Sequence, residues 1–482
     1  MRLSNVAGST RHGGTENRSP ASAPARTEAP PSPSGSFSRA SRNASRPPSL
    51  LAAARAPVPR PARCSPSRGM KPIASLGAVL AALLVPCAAG AQTTPAPPPP
   101  TAVVAGVPIR LNGIVHTAVI ATQGVQSFGY PTAVAATAAA NPAVLADPDA
   151  PLLSFQVQQT RLGMIVGDGA VVRGQVEIDF THFDQSSPTT QAFPRLRIAS
   201  IEWHPSATQR LFLGQTWDLF GNATGPQLLS HSFNLVGTLF QSGNIGFMRH
   251  QLGWSGRFGS VEISAALGLQ GANIGPVFGS VESSFTPTGS ARVMFHLSPQ
   301  RVLGVAALGT SLRLTSGALT ERTLALGGVA FADLTFGRLN LHAEAYLAQN
   351  LANLGALDLA QGRYGTDVVD AGGYLSARLS LGAHALTAMA GVAAVLNPGD
   401  VSPGYTPASG GALGTANPAA GPGITRNFSA HLGYWFSPAP GLSIVLEPYL
   451  YATRFALGPA EAARYDVDRR AAGVMLGAMY QL

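Results

Sequence analysis

Residues 174–180 read GQVEIDF, and their strict alternation of polar and apolar side chains decides the fold. Gln175, Glu177 and Asp179 fall on one face of an extended chain, and the valine, isoleucine and phenylalanine between them fall on the other. A period of two residues is that of a β-strand and not that of a helix. The stretch therefore predicts a strand with one polar and one apolar face.

The same two-faced alternation recurs along most of the chain, at residues 261–264, 292–297, 339–344 and 374–379. In water, so many apolar faces would need one large shared core. A closed barrel in a bilayer needs only lipid on its apolar outside and water on its polar inside. We therefore predict an all-β transmembrane antiparallel β-barrel over residues 109–482.

The connections between these segments alternate in length. Short turns are indicated at 167–169, 205–208, 257–259, 298–300, 336–337, 381–383 and 437–441. Long connections rich in Gly, Ala, Asn and Pro lie between them, at 123–151, 221–245, 271–288, 351–367 and 398–425. Short periplasmic turns with long extracellular loops are typical of outer-membrane barrels. Counting the segments predicts about sixteen strands, a number found in barrels with a wet lumen.

The first 91 residues differ from the rest in composition. Residues 1–69 are rich in Ser, Pro, Ala and Arg, which predicts a disordered basic segment. Met70 and Lys71, an apolar run over 73–85 and the Ala89-Gly90-Ala91 cleavage site then form a secretory signal peptide over 70–91. Because such a signal works at the start of a chain, we expect Met70 to be the true start and 1–69 an over-extended gene start. The alternatives for 1–69 are a nucleic-acid-binding arm and a transit peptide.

The segment that follows the cleavage site is proline-rich. Residues 92–108 include the run 97–100, which is all proline, and we expect a short, stiff periplasmic spacer there. The barrel follows from residue 109.

Composition excludes several classes of protein. Apart from the run 73–89, no apolar stretch reaches the length of a spanning helix, which excludes a multi-helix membrane protein. The whole chain has a formal net charge of +9, but residues 92–482 contain 20 Arg, no Lys and 21 acidic residues, so the mature charge is about −1 and indicates no nucleic-acid partner. Cys64 and Cys87 both precede residue 92, so we expect no cysteine and no disulfide in the mature chain.

The C-terminal segment 467–482 has the features of an assembly signal. Gly477, Tyr480 and Leu482 resemble the terminal signal of outer-membrane proteins, with Leu in place of the usual Phe, which implies recognition by the barrel-assembly machinery. An interfacial aromatic girdle in contact with outer-membrane lipid is expected from four residues at strand ends beside short turns. They are Trp203, Trp254, Phe336 and Trp435.

Motifs that would indicate catalysis are absent from the sequence. It contains no G-x-S-x-G, H-E-x-x-H, P-loop or C-x-x-C motif, and we expect no catalytic residue, cofactor or metal site. His182 and Asp184 could ligate a metal, but their place at a strand edge favours solvation. His342 and Glu344 share a strand face and could form an acid/base pair, although a polar lumen lining explains them better.

A set of arginines on neighbouring expected strands is the most informative feature for function. Alternation places five of them on the face opposite apolar neighbours: Arg161, Arg173, Arg195, Arg197 and Arg249. Arginine carries a fixed charge and planar donors suited to carboxylates, and a row of them in a pore favours anions. Alternatively, they pair with Glu177, Asp179, Glu202 or Asp218 and stiffen the wall. Both hypotheses stay open.

Residues 221–245 follow the expected fifth strand and form one of the long connections. In sixteen-stranded channels a loop at this place commonly folds inward and narrows the pore. We predict the same here.

Several motifs resemble those of the DcaP-like outer-membrane porins. They are RLG at 161–163, GQVEIDF at 174–180, RLRIA at 195–199, LGQTWDLF at 213–220, EAY at 344–346, QNL at 349–351 and GGY at 372–374. The resemblance covers most of 109–482 and implies a trimeric sixteen-stranded channel for small organic anions such as dicarboxylates. The sequence departs from better-known members in lacking an N-terminal periplasmic coiled coil, so a homotrimer would rest on the barrel walls.

These observations predict a passive diffusion channel for small hydrophilic solutes in the cell outer membrane of a Gram-negative bacterium. Two alternatives are a structural or adhesive barrel with a plugged lumen, and a barrel enzyme. The enzyme would need a Ser or an Asp/His pair near the outer rim, which the sequence does not indicate.

Overall fold

The computed structural model describes residues 101–124, 151–180, 194–221, 231–232, 242–246, 248–269, 286–316, 319–351, 366–401, 424–456 and 468–482. The predicted signal peptide, the segment before it and the pair His182 and Asp184 lie outside these residues.

Almost all of the described residues form β-strands. The strands are β1 (Thr101–Val104), β2 (Val107–Gly124), β3 (Pro151–Gln156), β4 (Arg161–Val166), β5 (Val172–Asp179), β6 (Arg195–Ser206), β7 (Gln209–Trp217), β8 (Met248–Phe258), β9 (Val261–Gly268), β10 (Thr288–Ser298), β11 (Arg301–Ser316), β12 (Leu319–Phe336), β13 (Leu339–Gln349), β14 (Val369–Leu381), β15 (His384–Val395), β16 (Ile424–Ala439), β17 (Leu442–Phe455) and β18 (Asp468–Gln481). A 3-10 helix covers Pro398–Asp400. Within the described residues, no helix is long and apolar enough to cross a membrane.

The strands form one closed antiparallel barrel. From β4 onwards each strand pairs with the next, and β18 pairs with β2 to close the ring. Both β3 and β4 pair with β2, at its residues 118–123 and 109–114 respectively, so together they occupy one strand position. The barrel therefore has sixteen strand positions, and the prediction of an all-β barrel of about sixteen strands is confirmed.

The two faces of the wall differ in character, as β2 illustrates. Leu111, Val115 and Val119 are exposed on the outer face, whereas Ile114 and His116 are buried on the inner face. Exposed leucines, valines and isoleucines continue around the outside of the other strands. An apolar outer belt of this kind suits contact with lipid. Lipid offers no hydrogen-bond partners, and the closed ring of strands pairs its own backbone groups.

The two ends of the barrel differ in their connections. All seven predicted short turns join consecutive strands at one end, here called the short-turn end. Gly337 and Gly382 have φ values of 61° and 69° there, as two-residue hairpin turns require. The predicted long connections all join strands at the opposite end, here called the long-loop end, where β11 and β12 are separated only by residues 317–318.

Strand structure begins earlier than the sequence predicted. The segment 92–108, expected to be a spacer, contains β1 and the first residues of β2. Ala105 and Gly106, with φ values of 50° and 81°, form a two-residue turn that lets β1 pair with β2. The described barrel therefore starts at Val107 and carries a short additional strand.

The outward orientation that an aromatic girdle requires is observed for three of the four predicted residues, and the prediction is wrong for the fourth. Trp203, Trp254 and Phe336 lie on the outer face, with Trp203 and Phe336 well exposed. Trp435 is buried on the inner face instead, where its Nε1 donates to Thr387 Oγ1 at 3.3 Å. Trp435 falls on the same alternating face as the buried Asn427, Ser429 and His431, and this register overrides the preference of an aromatic ring for the interface.

Candidate pore constriction

Three arginines and two carboxylates meet on the inner face of β4, β5 and β6, here called the central cluster. Arg161 lies opposite Asp179 in the β4–β5 register, and Asp179 lies opposite Arg195 in the β5–β6 register. Glu177 and Arg197 complete the cluster. All five side chains point inward, and four of the five residues are buried, whereas Arg195 is partly buried.

Both arginines of β6 bind the carboxylates of β5. Arg195 Nε donates to Asp179 Oδ1 at 2.9 Å, and its Nη2 donates to Asp179 Oδ2 at 2.6 Å. Arg197 Nη1 donates to Glu177, and its Nε lies 3.6 Å from Asp179 Oδ2. Two-pronged pairs of this kind fix the guanidinium planes. The hypothesis that the arginines pair with carboxylates to stiffen the wall therefore describes Arg195 and Arg197.

A β-bulge brings these two arginines onto the same carboxylates. Ile178 pairs with Leu196 and Glu177 pairs with Ile198, so Arg197 is an extra residue without an opposite partner in the β5–β6 register. Bulges locally redirect side chains and increase the twist of the strand. Arg197 also lies over the ring of Trp217 on β7, with 5.1 Å between the guanidinium carbon and the ring centroid.

Arg249 on β8 forms a separate ion pair beside the central cluster. Its Nη2 lies 3.6 Å from Asp218 Oδ2, and its Nη1 donates to the carbonyl of Leu269 at 2.9 Å. Asp218 Oδ1 accepts a hydrogen bond from the Phe220 amide at 3.0 Å, so this pair also holds the start of the connection that follows β7.

Arg173 lies apart from the other four arginines. It is the second residue of β5, beside a short turn, and a strand rise of about 3.3 Å per residue places it roughly 20 Å along the strand from Asp179. Arg173 Nη2 donates to Gln175 Oε1 at 3.1 Å, and its Nη1 lies 3.9 Å from Glu202 Oε2. The expected row of five arginines is therefore a central group of four and one residue at the short-turn end.

The connection between β7 and β8 enters the barrel, as its described residues show. Ile245 donates its amide hydrogen to Glu344 Oε1 of β13 at 3.0 Å. Ser232 Oγ donates to Glu447 Oε1 of β17 at 3.2 Å. These acceptors are buried inward-facing residues of strands across the barrel from β7 and β8. The predicted inward fold of 221–245 is confirmed for these residues.

Further contacts dock this segment closely against the far wall. Asn427 Nδ2 of β16 donates to Ser242 Oγ at 2.7 Å. Gly243 has a φ of 108°, and a Cβ at this position would lie 2.1 Å from the carbonyl oxygen of Gly373, so only glycine fits there. Phe220 and Ile245 also belong to a buried apolar cluster with inward-facing residues of β11, β12, β13, β15 and β16.

His231 is a polar anchor of the same segment. Its Nε2 donates to Asn340 Oδ1 and its Nδ1 accepts from Ser376 Oγ, both at 2.5 Å. Its ring centroid lies 4.3 Å from that of His342. Burial is the largest cause that lowers the pKa of His231 to about 3, and the neighbouring His342 and the Arg378 guanidinium lower it further, so the His231 ring is neutral at neutral pH.

The residues singled out as a candidate acid/base pair hold the segment in place. Glu344 accepts the Ile245 amide, and His342 packs on His231 while its Nδ1 lies 3.3 Å from Asp333 Oδ1. Both side chains face inward from β13, as a lumen lining would.

Comparison with known proteins identifies the fold. No family model matches the sequence, and no curated protein sequence matches it significantly. Among solved structures, the outer membrane channel DcaP of Acinetobacter baumannii matches with a TM-score of 0.53 and 13% sequence identity, covering 78% of this chain and 98% of that chain. The chain has a porin fold. The resemblance to DcaP-like porins seen in the sequence is thereby confirmed at the level of the fold.

Two other porins show weaker similarity. The anion-selective porin from Comamonas acidovorans has 13% identity and a TM-score of 0.48, over 78% of this chain and 100% of that chain. OprB of Pseudomonas putida has 12% identity and a TM-score of 0.45, over 77% of this chain and 94% of that chain. The assignment of the porin fold depends on the DcaP match and on the barrel topology.

The last residues of this porin fold alternate between the outer and the inner face of the barrel. Tyr480 and Leu482 are exposed on the outer face at 45% and 44%, and Gly477 lies on the inner face between Val445 and Ala118. The Leu482 amide donates to the carbonyl of Gly113 at 3.0 Å, which joins the end of the chain to the first barrel strand.

Sequence reasoning missed several residues that hold the inserted segment of the porin fold. Alternation places Ser376, Asn427 and Glu447 on inner faces, but nothing in their own strands identifies partners far away in the chain. Their inward polar side chains were the available signal. Their partners emerge only when the barrel closes.

Proposed function

We propose that this protein is an outer-membrane porin, a passive diffusion channel for small hydrophilic solutes with a preference for organic anions such as dicarboxylates. The observation that carries the proposal is the central cluster, where, among the residues that the structure describes, Arg161, Arg195 and Arg197 meet Glu177 and Asp179 on one inner wall. The segment after β7 docks against the wall across the barrel. Solutes would pass between the two.

The preference for anions follows from the charge of this wall. Three fixed guanidinium charges against two carboxylates leave an excess of one positive charge at the cluster. Charge in a narrow, poorly screened passage acts strongly on ions, and these arginines are charged at neutral pH. The pairing with Glu177 and Asp179 holds the guanidinium groups in place, so the two hypotheses about the arginines are compatible.

Location and assembly are part of the same proposal. The apolar outer belt would contact outer-membrane lipid, the short-turn end would face the periplasm, and the long-loop end would face the cell exterior of a Gram-negative bacterium. We propose secretion through the signal peptide that starts at Met70, insertion by the barrel-assembly machinery that recognises Tyr480 and Leu482, and assembly as a homotrimer. We propose a channel and not an enzyme, without a cofactor.

The second candidate function is a structural or adhesive barrel with a plugged lumen. It is favoured by the burial of His231, Ser232 and Asn244 inside the barrel and by the apolar cluster around Phe220 and Ile245. A closed plug would leave no path for water beside the arginine wall.

Liposome swelling separates the two candidates. The full-length protein, reconstituted in liposomes, is diluted into isotonic arabinose or disodium succinate. An open channel gives swelling in both solutes, faster than in protein-free liposomes. A folded, heat-modifiable barrel that gives no swelling in either solute would support the plugged alternative and contradict the channel.

A further inference from the structure

A second group of basic residues lines a cavity at the short-turn end of the lumen. The cavity has a volume of about 380 Å³ and lies between the inner faces of β2, β4, β5 and β6. Arg110, Arg173 and His204 line it, and Asp168 is the one carboxylate among its lining residues. Its volume is within the range of small-molecule sites.

The cavity is distinct from the central cluster. Arg173 is six residues from Asp179 along β5, which corresponds to about 20 Å in an extended strand. Arg195 and Arg197 bind Glu177 and Asp179, whereas Arg173 lies near Glu202. The two groups therefore do not share carboxylates.

The turn after β4 shapes one side of the cavity. Gly167 has a φ of +90°, and a Cβ there would lie 2.3 Å from the carbonyl oxygen of Val172, so the turn closes only with glycine. Asp168 Oδ1 accepts a hydrogen bond from the Ala170 amide at 2.8 Å, so this carboxylate oxygen stabilises its own turn.

The charge balance at the cavity is positive. Three basic side chains lie close to the Glu202 carboxylate. Arg173 Nη1 and His204 Nε2 lie 3.9 Å and 3.6 Å from its Oε2, and Arg210 Nη1 lies 3.3 Å from its Oε1. Among the lining residues, Arg110 and Arg173 carry two positive charges against the one carboxylate of Asp168. Glu202 and Arg210 adjoin the lining and offset each other, so one positive charge is in excess before His204 is counted. Planar guanidinium groups at a partly exposed site match the oxygens of a carboxylate.

We propose that this cavity is a binding site for a small dicarboxylate at the short-turn mouth of the barrel, with Arg110 and Arg173 as the residues that bind its oxygens. The inference rests on the proposed function, because an anion that passes the central cluster reaches this mouth next. The mouth would then hold the anion before release. Binding itself does not require transport and can be measured without it.

Calorimetric titration of the full-length protein with succinate in detergent at low salt tests the site. The double variant Arg110→Ala with Arg173→Ala should weaken succinate binding at the mouth at least tenfold, because each removed guanidinium takes away charge-assisted hydrogen bonds. The control Arg257→Ala with Arg301→Ala removes two arginines of the same end that lie outside the cavity lining, and should leave binding unchanged. Heat-modifiable migration on a gel shows that each variant is folded.

Two further titrations distinguish the mouth from other sites. Arg195→Ala with Arg197→Ala should retain the binding that depends on Arg110 and Arg173. Succinamide, which has the size of succinate without its charge, should not bind. Equal binding of succinamide, or unchanged succinate binding in the folded Arg110 and Arg173 double variant, would overturn the proposal.

Failure of this site and failure of the channel give different results. If the protein binds succinate through Arg110 and Arg173 but does not conduct, the binding site is supported and the proposed channel function is contradicted. If the protein conducts with a preference for anions but its succinate binding does not depend on Arg110 and Arg173, the channel function is supported and the binding site is contradicted.

Discussion

Arg195 on β6 donates two parallel hydrogen bonds to Asp179 on β5, from Nε to Oδ1 at 2.9 Å and from Nη2 to Oδ2 at 2.6 Å. The same carboxylate lies 3.6 Å from Arg197 Nε, and Arg161 stands opposite it in the β4–β5 register. One aspartate therefore organises three arginines. Its charge also offsets theirs, which makes it the residue that sets both the rigidity and the net charge of this wall.

Asp179→Asn should raise anion preference and lower stability together. The substitution keeps the size of the side chain but removes the charge shared by Arg195 and Arg197, so their positive charge is no longer offset. Loss of one partner from a buried ion pair costs about 3 kcal/mol or more of the free energy of unfolding. Reversal potential in a salt gradient and denaturant unfolding measure the two effects. A lower anion preference in this variant would contradict the proposed charge balance.

Gly243→Ala should release the segment that docks inside the barrel. A Cβ at this position would lie 2.1 Å from the Gly373 carbonyl oxygen, and overpacking of this kind costs about 1–3 kcal/mol. Single-channel recordings should show higher conductance and more noise. Gly328→Ala is the matched control, because a Cβ there meets nothing within 4 Å. Identical traces from both variants would show that the segment does not narrow the path.

Glu344 offers a test that separates hydrogen bonding from charge. Glu344→Ala removes the acceptor of the Ile245 amide and should increase channel noise as the segment loosens. Glu344→Gln keeps an oxygen acceptor and should retain quiet conductance. Because it removes one negative charge, it should also shift the reversal potential toward anions. Equal noise in the two variants would mean that this hydrogen bond does not hold the segment.

The outward-facing C-terminal residues should govern assembly. Tyr480→Ser with Leu482→Ser should reduce the amount of heat-modifiable barrel in outer membranes several-fold, since both apolar side chains are exposed on the outer face of β18. Gln481→Ala changes the residue between them and should assemble normally. Equal yields from both variants would rule out a signal at these positions.

Much of this fold could be predicted from the sequence because polar and apolar residues alternate along each strand of a barrel wall. The period of two in GQVEIDF identifies inner and outer faces directly, and glycine-containing turns mark the ends of strands. The prediction that Trp435 joins an interfacial girdle was wrong because it relied on residue type and position near a turn, whereas the register of β16 turns the ring inward.

The candidate site could be predicted only in part. Inward arginines and carboxylates followed from alternation, but the bulge that places Arg197 on Glu177 is a pairing irregularity with no local signature. The separation of Arg173 from the central cluster depends on its distance along β5. Contacts such as Ser232 with Glu447 join residues 215 positions apart, and no local pattern encodes such a pair.

The reversal potential of the full-length protein in planar bilayers, measured in a potassium chloride gradient, tests whether the central cluster selects anions. The wild type should prefer anions, and Arg195→Ala with Arg197→Ala should lose most of that preference. Arg426→Ala, which removes an exposed arginine paired with Asp468 at the long-loop end, should behave like the wild type. A cation preference in the wild type, or an unchanged potential in the folded double variant, would contradict the account.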